Sequence, residues 1–208
     1  VNPGDVVAFE NSIRLGEYTT SATWTGTVPE PSYGVVKNAV GADANNGTNL
    51  GYISWRSTIS YPANLTEGEL EQLQYTDWIS DIYYQDNGQI IKDTHYTTLH
   101  ILQESFNVSP AMGESLQWTK DFSIEVVYAD SLEDYGTSGD AWDNRETVFA
   151  QKGTTVTDDE IKTNGGKPIA LFRLHFTEAA LEKLRGSQLL YVHYQTVVNR
   201  EGLTDGKT

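Results

Sequence analysis

The sequence predicts an all-β fold, an antiparallel sandwich with a few short helices, and three observations lead there. Roughly nine or ten short runs rich in β-branched and aromatic residues recur along the chain, separated by Gly, Asn, Asp and Ser clusters. Helical signals are brief, none longer than about ten residues. Heptads, long amphipathic stretches and alternating strand-helix units are absent from the pattern. At 208 residues the chain is long enough for one main domain with an appended segment.

Residues 1–30 read as an extended segment, in which Asp5 to Glu10 and Ala22 to Thr27 are short strand candidates. Pro29-Glu30-Pro31 is a hinge signal, so the main domain is expected over 31–208, and the opening segment could be the end of a preceding repeat. Tyr33 to Asn38 follows as a strand with Lys37 behind two valines. Such a lysine either snorkels to the surface or has a role inside. A polar loop, Gly41 to Gly51, leads to Tyr52–Ser60, where Ile53, Trp55, Ser57 and Ile59 alternate with polar residues as in a half-buried strand.

Thr66 and Glu69 have capping-box spacing and should open a short helix carrying Leu70 and Leu73. Asp77 comes next, between aromatic and apolar neighbours in Y-T-D-W-I, where an aspartate either ends a strand or is buried. Asp86-Asn87-Gly88 signals a hairpin turn. Further strands are expected at Thr97–Gln103, Phe122–Tyr128, Thr147–Gln151 and Pro168–Phe176. Between them Asp130 to Glu146 reads as a solvated acidic loop, since its carboxylates fit no calcium-loop spacing. Thr157 and Glu160 repeat the capping-box spacing and should start one helical turn.

Thr177–Gly186 is the clearest helix, with Thr177 as N-cap, Leu181 and Leu184 on one face and Gly186 as stop. It feeds Leu189–Gly202, the longest β-favouring run and the expected central closing strand. Asn199 follows the last apolar residue of that run. Together these elements predict an immunoglobulin-like sandwich.

Charge and composition restrict the function. With 14 Lys and Arg against 29 Asp and Glu, the net charge is −15, which repels phosphate backbones and anionic lipid surfaces. Nucleic acid is not expected as a partner, nor is membrane insertion, because no apolar run approaches a bilayer span. The chain has no cysteine, so any extra stability must come from something other than disulfides. Four histidines, His95, His100, His175 and His193, lack metal-ligand spacing, and no phosphate-cradling glycine loop is present. Neither cofactor nor metal is expected, and a turnover hydrolase has little support.

The order of elements resembles the fimbrial isopeptide-forming domains of Gram-positive pilins and surface adhesins, a collagen-adhesin-like group. The motifs that carry the resemblance are V-V-K-N, I-S-W-R-S-T-I-S, Y-T-D-W-I, F-T-E-A-A-L-E-K-L-R-G and V-H-Y-Q-T-V-V-N, spanning about residues 33 to 199. The helix with the closing strand is the most specific part. The resemblance implies a cross-link between Lys37 on the first strand and Asn199 on the last. It also implies an assisting acid, placed on Asp77 with Glu125 and Glu146 as alternatives.

The implied chemistry is a single autocatalytic turnover, not multiple-turnover catalysis. Burial disfavours the charged form of an amine and of a carboxyl, and packing supplies the proximity for a lysine to displace ammonia from an amide. One difficulty is visible in the sequence: Asn199 has opposite parity to Val192, Tyr194 and Thr196, so a bulge would be needed to turn it inward. The expected role is a structural or adhesive module at the cell surface or in a pilus. Its partners would be neighbouring domains of the same protein, with a host protein or glycan as ligand. A second expectation, from 5 Trp and 12 Tyr, is a carbohydrate-binding sandwich without a cross-link.

Overall fold

A computed structural model describes residues 6–15, 18–27, 33–44, 50–62, 66–79, 83–92, 97–100, 105–157 and 167–199. The chain divides into two compact units, Val1–Tyr33 and Gly34–Thr208. In the first, β1 (Val6–Leu15) and β2 (Tyr18–Thr27) form one antiparallel hairpin, paired from Val6 opposite Thr27 to Leu15 opposite Tyr18. The two short strand candidates are thus parts of longer strands that pair with each other.

The second unit is an antiparallel β-sandwich, as the strand pattern predicts. One sheet runs in the order β3 (Gly34–Ala44), β4 (Leu50–Ser60), β13 (Leu189–Asn199) and β8 (Thr97–His100). Its fifth strand, β9 (Asn107–Pro110), pairs with β13 over Leu190–His193, and β8 pairs further along, over Gln195–Val198. The run Leu189–Asn199 is therefore a central strand, as its Val and Tyr content requires. The other sheet runs β11 (Thr154–Val156), β10 (Phe122–Tyr128), β12 (Ile169–Phe176) and β5 (Gln74–Trp78).

Strand alternation places the core. From the first sheet Ile59, Val108, Leu190, Val192 and Tyr194 point inward; Tyr75, Phe122, Ile124, Phe172 and Leu174 meet them from the second. Ala180, Leu181 and Leu184 of α4 (Glu178–Leu184) join this core. Thr177 caps that helix as its sequence predicts, accepting a hydrogen bond from the Ala180 N–H, and Gly186 follows at φ 82°. The helix α1 (Glu67–Glu71) also starts as predicted, with the Thr66 N–H donating to Glu69 Oε2 at 2.8 Å.

A hairpin of β6 (Tyr83–Asp86) and β7 (Gln89–Lys92) turns at Asn87 and Gly88, with φ 49° and 80°, the left-handed pair of a type I′ turn.

Two expectations are corrected between residues 129 and 152. The acidic stretch Asp130–Glu146 is a folded lid, not a solvated loop. A 3₁₀ segment (Ala129–Tyr135), α2 (Ser138–Asp143) and α3 (Arg145–Lys152) pack on the outer face of β10 and β12. Thr147–Gln151 lies inside α3 and is not a strand. Val148 and Phe149 look like a β-run in sequence, yet adjacent positions of this helix join Leu132, Ala141, Ala170 and Leu171 in a second core.

The acidic residues stay at the surface of the lid, and Asp140 closes a capping box with Thr137. Strand β12 is buried on both faces because it lies between the two cores. A register shift opposite Val127 and Tyr128 accommodates Ala170 as an extra residue. The helical turn expected from Thr157 and Glu160 lies outside the described residues. Among the described residues, no helix is long and apolar enough to cross a membrane.

Candidate cross-linking site

The sandwich brings Lys37 and Asp77 together from opposite sheets. Lys37 sits on β3 opposite Ser57 of β4, and Asp77 on β5 opposite Phe172 of β12. Alternation turns Tyr75 and Asp77 toward the core, while Thr76 and Trp78 face the lid side. The Lys37 ammonium donates to Asp77 Oδ1 at 2.8 Å and to the Trp78 carbonyl at 3.2 Å. It also lies 4.8 Å from the centre of the Trp55 ring and 5.3 Å from that of Tyr194. The lysine side chain is 27 % exposed and the aspartate 8 %, so this ion pair lies at the edge of the core. Lys37 is therefore neither a free snorkelling cation nor fully enclosed.

The second carboxylate oxygen has its own partners. Asp77 Oδ2 accepts hydrogen bonds from the Tyr75 and Tyr194 hydroxyls, each at 2.5 Å. Ser57 Oγ lies 2.6 Å from the Tyr75 oxygen; since the single tyrosine proton goes to Asp77, the serine is the donor there. Burial pushes the pKa of both phenols well above the usual tyrosine range, and the neighbouring Asp77 charge adds to it. Both tyrosines are hydrogen-bond donors, not bases, at any ordinary pH. Behind them the Trp55 indole N–H donates to Thr196 Oγ1 at 2.9 Å, fixing the ring that lies under the lysine.

The two alternative acids are placed elsewhere. Glu125 pairs with His175 at 2.8 Å, and Glu146 with Arg173 at 2.7 Å, both on the lid side of the second sheet. Glu125 lies between Ile124 and Val126, which point into the core, so its parity sends it the other way. Asp77 is the acid that meets Lys37.

The strand register separates Asn199 from this pair. Along β13, Val192 is the residue level with Ser57 and hence with Lys37, whereas Asn199 lies opposite Leu50. Seven residues separate the two levels, about 23 Å of strand, which a lysine side chain does not span. The β13–β4 register is unbroken from Leu189 to Asn199, with no bulge to change the parity of Asn199.

Sequence reasoning missed Tyr75, Tyr194, Trp55 and Ser57 as parts of the site. Their signal was present: Tyr75 shares a strand face with Asp77 two residues away, and Trp55 and Ser57 share the inward face of their strand. Among the described residues, no cluster of three or more His, Asp or Glu side chains could hold a metal ion.

Fold and site define an antiparallel sandwich with a lysine–aspartate pair set between aromatic rings. Compared with protein-family models, with curated proteins and with solved structures, the chain matches none.

Proposed function

We propose that this chain is a structural or adhesive module of a Gram-positive cell-surface or pilus protein, stabilised by an isopeptide bond that it forms itself. The reading rests on the Lys37–Asp77 pair: an amine and a carboxylate from opposite sheets, 2.8 Å apart and against two aromatic rings in a cysteine-free domain. In the reaction Asp77 Oδ1 takes a proton from the ammonium, and the free amine attacks a side-chain amide carbon. The carbon–nitrogen bond of that amide breaks, and the proton leaves with ammonia. Asp77 is regenerated, so no co-reactant is needed.

The amide is a side-chain amide that reaches Lys37 on β3. Among the described strands that one is an end member of its sheet, and Val35, Val36 and Val40 on it are exposed. β13 finishes at the same end of the sheet as β3, since Asn199 pairs with Leu50 and Ala44 with Gly51. A residue directly across from Lys37 would have its Cβ about 5 Å away, within reach of an amide bond.

The test is the intact mass of the full-length protein, with peptide mapping of what is joined to Lys37. A wild type lighter than its sequence by one ammonia, with Lys37→Ala at full mass, supports the proposal. A wild type at full mass rejects it. Carbohydrate binding without a cross-link is the weaker reading, because Trp55, Trp78, Trp118 and Trp142 all pack against core residues.

A further inference from the structure

We propose that Tyr75 and Tyr194 act as positioning residues, a two-hydroxyl clamp that confines proton transfer at Asp77 to the oxygen facing Lys37. The inference rests on the cross-linking reaction above and assigns a role in it to two hydroxyls that donate to Asp77 and not to Lys37. A carboxylate oxygen has two in-plane acceptor positions, and on Oδ2 the two tyrosines supply two donors. Oδ1 receives Lys37 instead. A proton leaving the ammonium therefore finds an accepting site only on Oδ1, next to the leaving group that must receive it. Were Oδ2 free, a proton placed there would point away from the reacting atoms.

The three donors come from three separate strands, β3 for Lys37, β5 for Tyr75 and β13 for Tyr194. The carboxylate can take up this arrangement only after both sheets have closed. Ser57, on a fourth strand, orients the Tyr75 hydroxyl by donating to its oxygen. The ring of Tyr194 also packs edge-on to Phe172 at 5.2 Å, and that of Tyr75 lies 5.8 Å from the same phenylalanine. Replacing either tyrosine by phenylalanine removes the hydroxyl and keeps these ring contacts.

The experiment follows the intact mass of the full-length chain with time after cell-free synthesis, for the wild type, Tyr75→Phe, Tyr194→Phe and Ser57→Ala. Each tyrosine variant is expected to lose ammonia about tenfold more slowly, and Ser57→Ala less than that. Proton NMR gives a readout that ring packing alone would not move. Two slowly exchanging hydroxyl protons should appear in Lys37→Ala, which cannot cross-link, and both should disappear in Lys37→Ala/Asp77→Ala. Wild-type rates in both tyrosine variants, or no protected hydroxyl signal, would overturn the clamp while leaving the cross-link intact. A wild type at full mass would overturn the cross-link and this role together.

Discussion

At the scale of single residues, Asp121 is a buried charge away from the Lys37–Asp77 pair. It is fully buried, and its Oδ2 accepts from Lys183 at 2.6 Å and from the Gln117 N–H at 2.7 Å, while Oδ1 has no partner. Burial raises its pKa, but the hydrogen bonds from Lys183 and Gln117, with the charges of Lys183 and Lys120, outweigh that and hold it below the ordinary value of 3.8. A carboxyl whose folded value is depressed adds stability above the ordinary value and loses it as pH falls through the folded one. Asp121→Asn should therefore cost about 2 kcal/mol near neutral pH. Its denaturation midpoint should also fall less than that of the wild type on acidification below about pH 4. Equal acid sensitivity in the two proteins would show that Asp121 is not the group responsible.

The same scale explains which site residues could be read from the sequence. Lys37 and Asp77 were legible because a charged side chain among valines or aromatics has few uses, and local spacing gives its face. Asn199 was not, because its position depends on the register between β13 and β4, a relation between residues far apart in the chain. Its parity already argued against an inward position, and the unbroken ladder upholds that parity. Asn199→Ala should accordingly keep the mass deficit of the wild type; restoration of full mass would reinstate Asn199 as the partner.

At the scale of elements, helix ends and turns were the most legible features, since each rests on a few residues acting locally. Thr177 shows how local and tertiary demands combine. Its hydroxyl caps α4 and lies 3.0 Å from the Lys120 carbonyl and 3.1 Å from that of Asp121, which ties the helix to the start of β10. Thr177→Ala should lower stability by about 1–2 kcal/mol in urea denaturation, and Thr177→Ser much less. The lid was less legible because T-V-F has β propensity, and only burial against β10 and β12 makes it helical.

Gly153 ends α3 against that sheet. A Cβ there would come within 2.5 Å of the Phe149 carbonyl and closer still to Glu125 Oε1. Gly153→Ala should cost about 1–3 kcal/mol through displacement of the lid. An unchanged denaturation midpoint would mean that the lid yields freely.

At the scale of the whole molecule, the two cores divide the work. The helical lid seals one face of the four-stranded sheet, and the inter-sheet core holds the other. Among the described strands β3 is an edge strand with exposed valines, joined to the opposite sheet through Lys37 and Asp77. A hydrogen-bonded ion pair with a 27 % exposed lysine is a modest tie.

A covalent bond from Lys37 to a side-chain amide would constrain the unfolded chain by about 3–5 kcal/mol. Lys37→Ala removes both the bond and the ion pair, whereas Asp77→Asn removes the acid and keeps the side-chain shape. Full-length Lys37→Ala should unfold at clearly lower temperature than the wild type and be cleaved near β3 by proteases that leave the wild type intact. Asp77→Asn should likewise keep the full mass of its own sequence, since no carboxylate is left to take the proton from the lysine. If the wild type carries the cross-link yet Lys37→Ala unfolds at the same temperature, the sandwich and its lid already supply the stability, and the bond serves resistance to pulling instead.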